Sequence, residues 1–180
     1  MIKRGPHLLA ALAVAGTLTT VAPASSAPTA VTPARAAAPA RAAAPIPGVH
    51  EIRPAHVPNM CVTVHGWDTS TKAKIDQWTC KGQRNQRWAF VQNDVRYWIK
   101  SESSNKCLDS GDGKKGRKVL QWTCHSKLNQ AWHPVARGKG LFQIHVGTMC
   151  LDVEGGSKSN GARLILWKCK NVRNQLFQLK

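Results

Sequence analysis

The residues of this chain that could do chemistry come in a fixed order, and they come three times. Met149 to Phe177 reads MCLDVEGGSKSNGARLILWKCKNVRNQLF: a Cys-apolar-Asp opening, a Gly-rich turn, an apolar run ending in Trp-x-Cys, then Asn-Gln-x-aromatic. Lys106 to Trp132 keeps that order as KCLDSGDGKKGRKVLQWTCHSKLNQAW, and Met60 to Trp88 keeps a divergent form, MCVTVHGWDTSTKAKIDQWTCKGQRNQRW. Carboxylates, indoles, amides and thiols in this arrangement invite three readings: acid–base hydrolysis, metal holding, or recognition of a polar ligand.

The first two are poorly served. Glycoside hydrolysis needs two carboxylates facing one another across a cleft, whereas Asp109 and Asp152 belong to different copies. The seven histidines (His7, His50, His56, His65, His125, His133 and His145) are scattered, and none falls in a nucleophile elbow, a zinc-helix motif or a Gly-rich phosphate loop. Zinc finds no Cys-x-x-Cys and no paired His-Cys spacing. The run Asp109-Ser110-Gly111-Asp112-Gly113 lacks the alternating acids and closing Glu of a calcium loop. The chain therefore reads as a non-enzyme, with no catalytic residue, metal or cofactor expected.

The spacing of the copies dictates what must position these residues. First cysteines stand at 61, 107 and 150, steps of 46 and 43, and the Gln of Asn-Gln recurs at 86, 130 and 175, steps of 44 and 45. A period of this size repeated only three times implies one closed domain of three lobes and not an open solenoid. Within each copy the apolar segments are short, rich in β-branched and aromatic residues, and bounded by Gly, Asn, Asp or Lys, so they read as strands. Four short strands per copy, about twelve in all, match an all-β fold, a β-trefoil of three repeated four-stranded lobes with pseudo-threefold symmetry. Trp88, Trp132 and Phe177 are expected on strands facing the axis, as core.

Six cysteines allow fifteen pairings, but the repeat favours pairing within each copy: Cys61–Cys80, Cys107–Cys124 and Cys150–Cys169. Each bridge closes a loop of 17 or 19 residues, worth roughly 3 kcal/mol by chain entropy. An oxidising compartment is consistent with the start of the chain. MIKRGPH precedes LLAALAVAGTLTTVA, too short and small for a membrane span, and residues 1–27 read as a secretory signal. Residues 28–48, Pro/Ala-rich with PARAAA twice, read as a disordered tether, and 49–180 as the folded domain. A secreted, extracellular protein is expected. The domain holds 22 of the 26 Lys and Arg and all nine acids, a net +13, which attracts polyanions without naming one.

The three motifs in register resemble the ricin-type lectin family, which includes sugar-binding modules attached to many secreted xylanases. That resemblance implies one shallow sugar site per lobe: an Asp after the first cysteine accepting hydroxyl hydrogens, an aromatic two residues before the second cysteine stacking on the sugar, an Asn adding a polar contact, and a Gln steadying the Asp. The second copy supplies Asp109, Trp122, Asn129 and Gln130; the third supplies Asp152, Trp167, Asn174 and Gln175. Leu120 and Ile165 stand where many members carry a Gln. The first copy departs further, with Thr63 for the Asp and Asp76 at the Gln position, although Trp78, Asn85 and Gln86 remain. A hydroxyl is a weaker acceptor than a carboxylate, so this lobe is expected to be silent or altered in specificity.

The expected partner is a polysaccharide or glycan, bound by a monomer with two sugar sites, with no specific nucleic acid and no membrane span. Lys114, Lys115, Arg117 and Lys118 crowd the loop between Asp109 and Trp122, and Lys72, Lys74, Lys158 and Arg163 hold comparable places. Cations on each rim point to an acidic glycan, with solubility as the competing account. The alternative function is a non-catalytic polyanion binder using charge alone on heparin-like chains, anionic cell-wall polymer or nucleic acid.

Overall fold

The computed structural model describes Ile46 and residues 48–180; the expected signal and nearly all of the tether lie outside the described residues. Ile46, on the tether side of the expected boundary, packs against the core, and its N–H donates to the Tyr97 hydroxyl at 3.2 Å.

Twelve strands follow one another in three sets of four. The first lobe holds β1 (Val49–Pro54), β2 (Met60–Val64), β3 (Ile75–Thr79) and β4 (Arg87–Asn93). The second holds β5 (Arg96–Ser101), β6 (Cys107–Asp109), β7 (Leu120–Trp122) and β8 (His133–Ala136). The third holds β9 (Leu141–Val146), β10 (Met149–Val153), β11 (Leu164–Lys168) and β12 (Phe177–Leu179). The outer strands of each set make the barrel. β1 lies between β4 and β12, β4 pairs with β5, and β9 pairs with both β8 and β12. Glu51 and Lys180 exchange both backbone hydrogen bonds, at 2.8 and 3.1 Å.

Tyr97 and Trp132 close the remaining gap with two backbone hydrogen bonds of 2.8 and 3.0 Å. Trp88 and Phe177 sit on strands as expected, but Trp132 stands one residue ahead of β8, because its backbone is engaged in that isolated bridge. All three rings are fully buried. The indole N–H of Trp88 donates to the Val62 carbonyl at 2.9 Å and that of Trp132 to the Leu108 carbonyl at 2.8 Å, so neither polar atom is stranded in the core.

The inner strands form three hairpins, β2–β3, β6–β7 and β10–β11, stitched together by the bridges Lys74–Leu120, Lys118–Ile165 and Asp76–Arg163. Each lobe carries its own disulfide, Cys61–Cys80, Cys107–Cys124 and Cys150–Cys169, as the repeat implies.

Each Gly-rich loop lies against the next lobe. The amides of Lys72, Gly116 and Gly161 donate to Gln121, Leu166 and Gln77, at 2.9, 2.7 and 2.9 Å. The buried Gln121 side chain donates to Asp68 and Ser70 carbonyls, and Gln77 does the same to Ser157 and Ser159. Lobe one thus clasps lobe two, lobe two clasps lobe three, and lobe three returns to lobe one. Among the described residues no helix is long and apolar enough to cross a membrane.

Candidate functional site

Register brings the singled-out residues together. Cys150 faces Trp167 and Asp152 faces Ile165 across the third hairpin; Cys107 faces Trp122 and Asp109 faces Leu120 across the second. Alternate residues of a strand share a face, so each Asp and Trp lie on the same side of their hairpin. A single 3-10 turn, Arg173–Gln175 or Leu128–Gln130, then brings Asn-Gln up to the carboxylate.

In the third lobe Gln175 Nε2 donates to Asp152 Oδ2 at 2.7 Å and to the Lys168 carbonyl at 3.0 Å, while its Oε1 accepts from the Lys170 amide at 2.7 Å. Asn174 Nδ2 donates to Asp152 Oδ1 at 3.0 Å and to the Val153 carbonyl at 3.2 Å. Asp152 therefore accepts two side-chain hydrogen bonds, and a carboxylate has about four lone-pair positions, so two are unspent. Burial pushes its carboxyl above the ordinary carboxylate range, against the pull of the Gln175 and Asn174 hydrogen bonds. The carboxylate opens on a cleft of about 430 Å³ lined by Glu154, Ile165, Trp167, Lys170 and Asn174, with Gly116 contributed by the second lobe.

The second lobe holds its carboxylate harder. Asn129 Nδ2 lies 2.9 Å from both oxygens of Asp109, Gln130 Nε2 donates to Oδ2 at 2.8 Å, and the Gly111 amide donates to Oδ1 at 2.7 Å. His125 Nε2 stands 3.5 Å from Oδ2. Four contacts against about four lone pairs leave this carboxylate nearly saturated. The Gly111 bond is the turn-stabilising role that an Asp before a Gly-rich loop commonly takes. The adjoining cleft is wide, about 1020 Å³, and includes Trp122, His125, Lys127 and the exposed Leu128.

The first lobe keeps the frame and changes the contents. Gln86 makes the same backbone pair, to Thr79 at 2.9 Å and from Lys81 at 2.7 Å, but its third bond reaches only the Thr63 hydroxyl at 3.2 Å. That hydroxyl donates to the Cys61 carbonyl at 2.7 Å. The carboxylate has moved across the hairpin: Asp76, paired with Thr63, is fully buried, with His65 Nδ1 at 2.7 Å and Lys74 Nζ at 3.0 Å from its Oδ2. Beside it lies a pocket of about 310 Å³ lined by His65, Trp67, Trp78, Lys81, Gln83 and Asn85, among others.

Two features lay beyond sequence reasoning. Lys115 Nζ sits 4.2 Å from the centre of the Trp167 ring and Lys72 Nζ 5.4 Å from that of Trp122. The basic loop of one lobe therefore serves the next lobe's indole and not its own. Trp67 was also passed over; its signal was its place six residues after Cys61, where the third lobe has Gly156 six after Cys150.

Three lobes, each closing a disulfide-braced hairpin over an Asn-Gln turn, define a β-trefoil of the lectin type. The model of the ricin-type beta-trefoil lectin domain matches residues 48–177, and the chain belongs to that family. Among solved structures, the designed threefold-symmetric protein ThreeFoil is 28% identical, with a TM-score of 0.70, over 73% of this chain and 96% of that one. The ricin B-like lectin of Macrolepiota procera, solved with lactose, is 20% identical with a TM-score of 0.65, over 74% and 94%. An exo-beta-1,3-galactanase from Clostridium thermocellum is 24% identical with a TM-score of 0.69; this chain covers 29% of that enzyme, which covers 73% of this chain. The likeness to these last two is one of fold. No curated protein matches the chain.

Proposed function

We propose that this protein is a secreted lectin that grips polysaccharide without cleaving it, chiefly through the third lobe and more weakly through the second. The observation that carries the reading is Asp152: a carboxylate with two unspent lone pairs, in the lining of a cleft that it shares with an indole. A pyranose has an apolar C–H face beside a rim of hydroxyls, and it asks for this combination. Trp167 takes the ring face, Asp152 two hydroxyl hydrogens, and Asn174 a further polar contact; Trp122, Asp109 and Asn129 offer the same groups in the second lobe, with less acceptor capacity left on the carboxylate. Gln175 and Gln130 hold the carboxylates in place. The ligand of the Macrolepiota lectin, lactose, makes neutral galactosides the first probes.

The net +13 of the domain favours an acidic polymer as the physiological ligand. Two sites on one rigid body multiply a weak single-site affinity on such a polymer. Secretion agrees with the three disulfides. Binding without hydrolysis agrees with the placement of Asp109 and Asp152, each tied down within its own lobe.

The deciding experiment is a glycan array at two salt concentrations, followed by titration of the best ligand against Asp152→Ala. Loss of binding at one site with the fold intact supports the reading. Binding indifferent to sugar identity, steeply salt-dependent and unaltered in that variant would mean a charge-only polyanion binder.

A further inference from the structure

The first lobe lacks the hydroxyl-accepting carboxylate, yet its pocket is lined by two indoles, Trp67 and Trp78, where the other two clefts have one each. Trp67 is 48% exposed and adopts φ 60, a left-handed conformation that is costly for a bulky L-residue. The matched position in the third lobe is Gly156 at φ 61, so the turn itself asks for glycine. A tryptophan held out into water against that preference needs a reason other than packing.

Both acids of the third lobe are replaced as well. Where the third lobe places Asp152 and Glu154, the first places Thr63 and His65. The pocket lining includes His65, Lys81, Gln83 and Asn85 and no acid: Asp76 is fully buried, and Asp68, next to Trp67, is outside the lining, its carboxylate accepting from the Ser70 amide at 2.8 Å. Asp76 acts on the site through His65. A carboxylate only accepts, so the short contact of its Oδ2 with Nδ1 puts an N–H on Nδ1, and in the neutral ring Nε2 is then the acceptor. The His65 ring meets Trp78 edge-on, with centroids 5.9 Å apart.

We propose that this pocket is a separate site for a carboxylate-bearing pyranose, such as a uronate residue of a polysaccharide. The indoles of Trp67 and Trp78 cover the apolar surface of the sugar, Lys81 meets the carboxylate, and His65 Nε2 accepts from a hydroxyl, with Asp76 as the positioning residue. The proposal rests on polysaccharide binding only for its choice of ligand and needs neither Asp109 nor Asp152. It assigns the acidic units of a polymer to the first lobe and the neutral ones to the other two.

The test is titration of the protein with methyl glucuronide and with methyl glucoside, which differ only at C6, while the indole N–H signals are followed by NMR. The expected result is that the glucuronide shifts the Trp67 and Trp78 signals in the millimolar range and binds about tenfold tighter than the glucoside. Trp67→Gly should lose that binding while its melting temperature stays level or rises, since glycine relieves the left-handed turn. Lys81→Gln should bring the two sugars to similar affinity. The proposal is overturned if Trp67 and Trp78 do not respond, if the two sugars bind alike to the unaltered protein, or if Trp67→Gly leaves glucuronide binding unchanged. Neutral galactosides, read at Trp122 and Trp167, test the other lobes separately, so either reading can fail while the other stands.

Discussion

The second and third lobes carry the same four residues in the same order, yet they spend their carboxylates differently. Asp109 is enclosed by Asn129, Gln130 and the Gly111 amide, with His125 close by, whereas Asp152 accepts from Asn174 and Gln175 alone. One carboxylate is chiefly a structural acceptor, and the other keeps acceptor capacity facing the cleft. A motif thus states which groups are present, and the lone-pair count states which are free to bind.

The harshest way to break this comparison is to remove what both lobes share. Trp132→Ala and Phe177→Ala each empty a fully buried ring site and should cost about 3–5 kcal/mol. Chemical denaturation should report both losses, and the clefts of the two lobes should fail together. A sharper contrast comes from the carboxylates. Asp109→Ala takes the acceptor from three donors and Asp152→Ala from two; the buried Gln130 or Gln175 costs about 1–3 kcal/mol when left unpaired, and the partly exposed Asn129, Gly111 and Asn174 cost less. The second-lobe variant should therefore lose more stability, while the third-lobe variant loses more sugar affinity, about tenfold or beyond. Calorimetric melting and titration of both variants check the crossed order; the same ranking in both measurements would dissolve the distinction.

Acidification sharpens the contrast further. Burial raises the Asp152 carboxyl above its usual value, so its proton arrives at a higher pH than for an ordinary aspartate near 3.9. A protonated carboxyl is a poorer acceptor, and third-lobe binding should weaken as pH falls through that raised value. The stability sign is opposite: charging a buried Asp is unfavourable, so the contribution of this group is fullest below the unfolded pKa and is lost as pH rises through the folded one. A pH series of binding and of melting temperature, repeated on Asp152→Asn, checks both signs. The smallest effect belongs to the lysines over the indoles. Lys115→Ala and Lys72→Ala should each change cleft affinity by about 0.5–1 kcal/mol, the former more, since its ammonium is nearer the ring.

Much of this was legible in the residues. The three-copy order fixed lobe count, strand number and disulfide pairing because each depends on contacts within a copy. The Asp109–Gln130 and Asp152–Gln175 bonds follow from the same local register. What could not be read lies between copies or in backbone conformation. Lys115 sits within the second motif, yet it reaches Trp167 through a loop that lies on the neighbouring lobe. The exchange of Asp for Thr63 looked like a loss, because the hydrogen bond between Asp76 and His65 depends on a cross-hairpin approach invisible in residue order. Trp67 gave no sign of strain, since φ is set by the turn it occupies.

The pairing of β1 with both β4 and β12 leaves Glu51 hydrogen-bonded to Lys180. Among the described residues the first and last strands are thus neighbours, and where the barrel's chain is cut matters little to it. A short linker from Lys180 to Val49, with new ends opened at the glycine-rich turn Gly138–Gly140, would rewire the polypeptide while leaving the three clefts where they are. Such a permuted molecule would let a fusion partner be attached at a different point on the barrel.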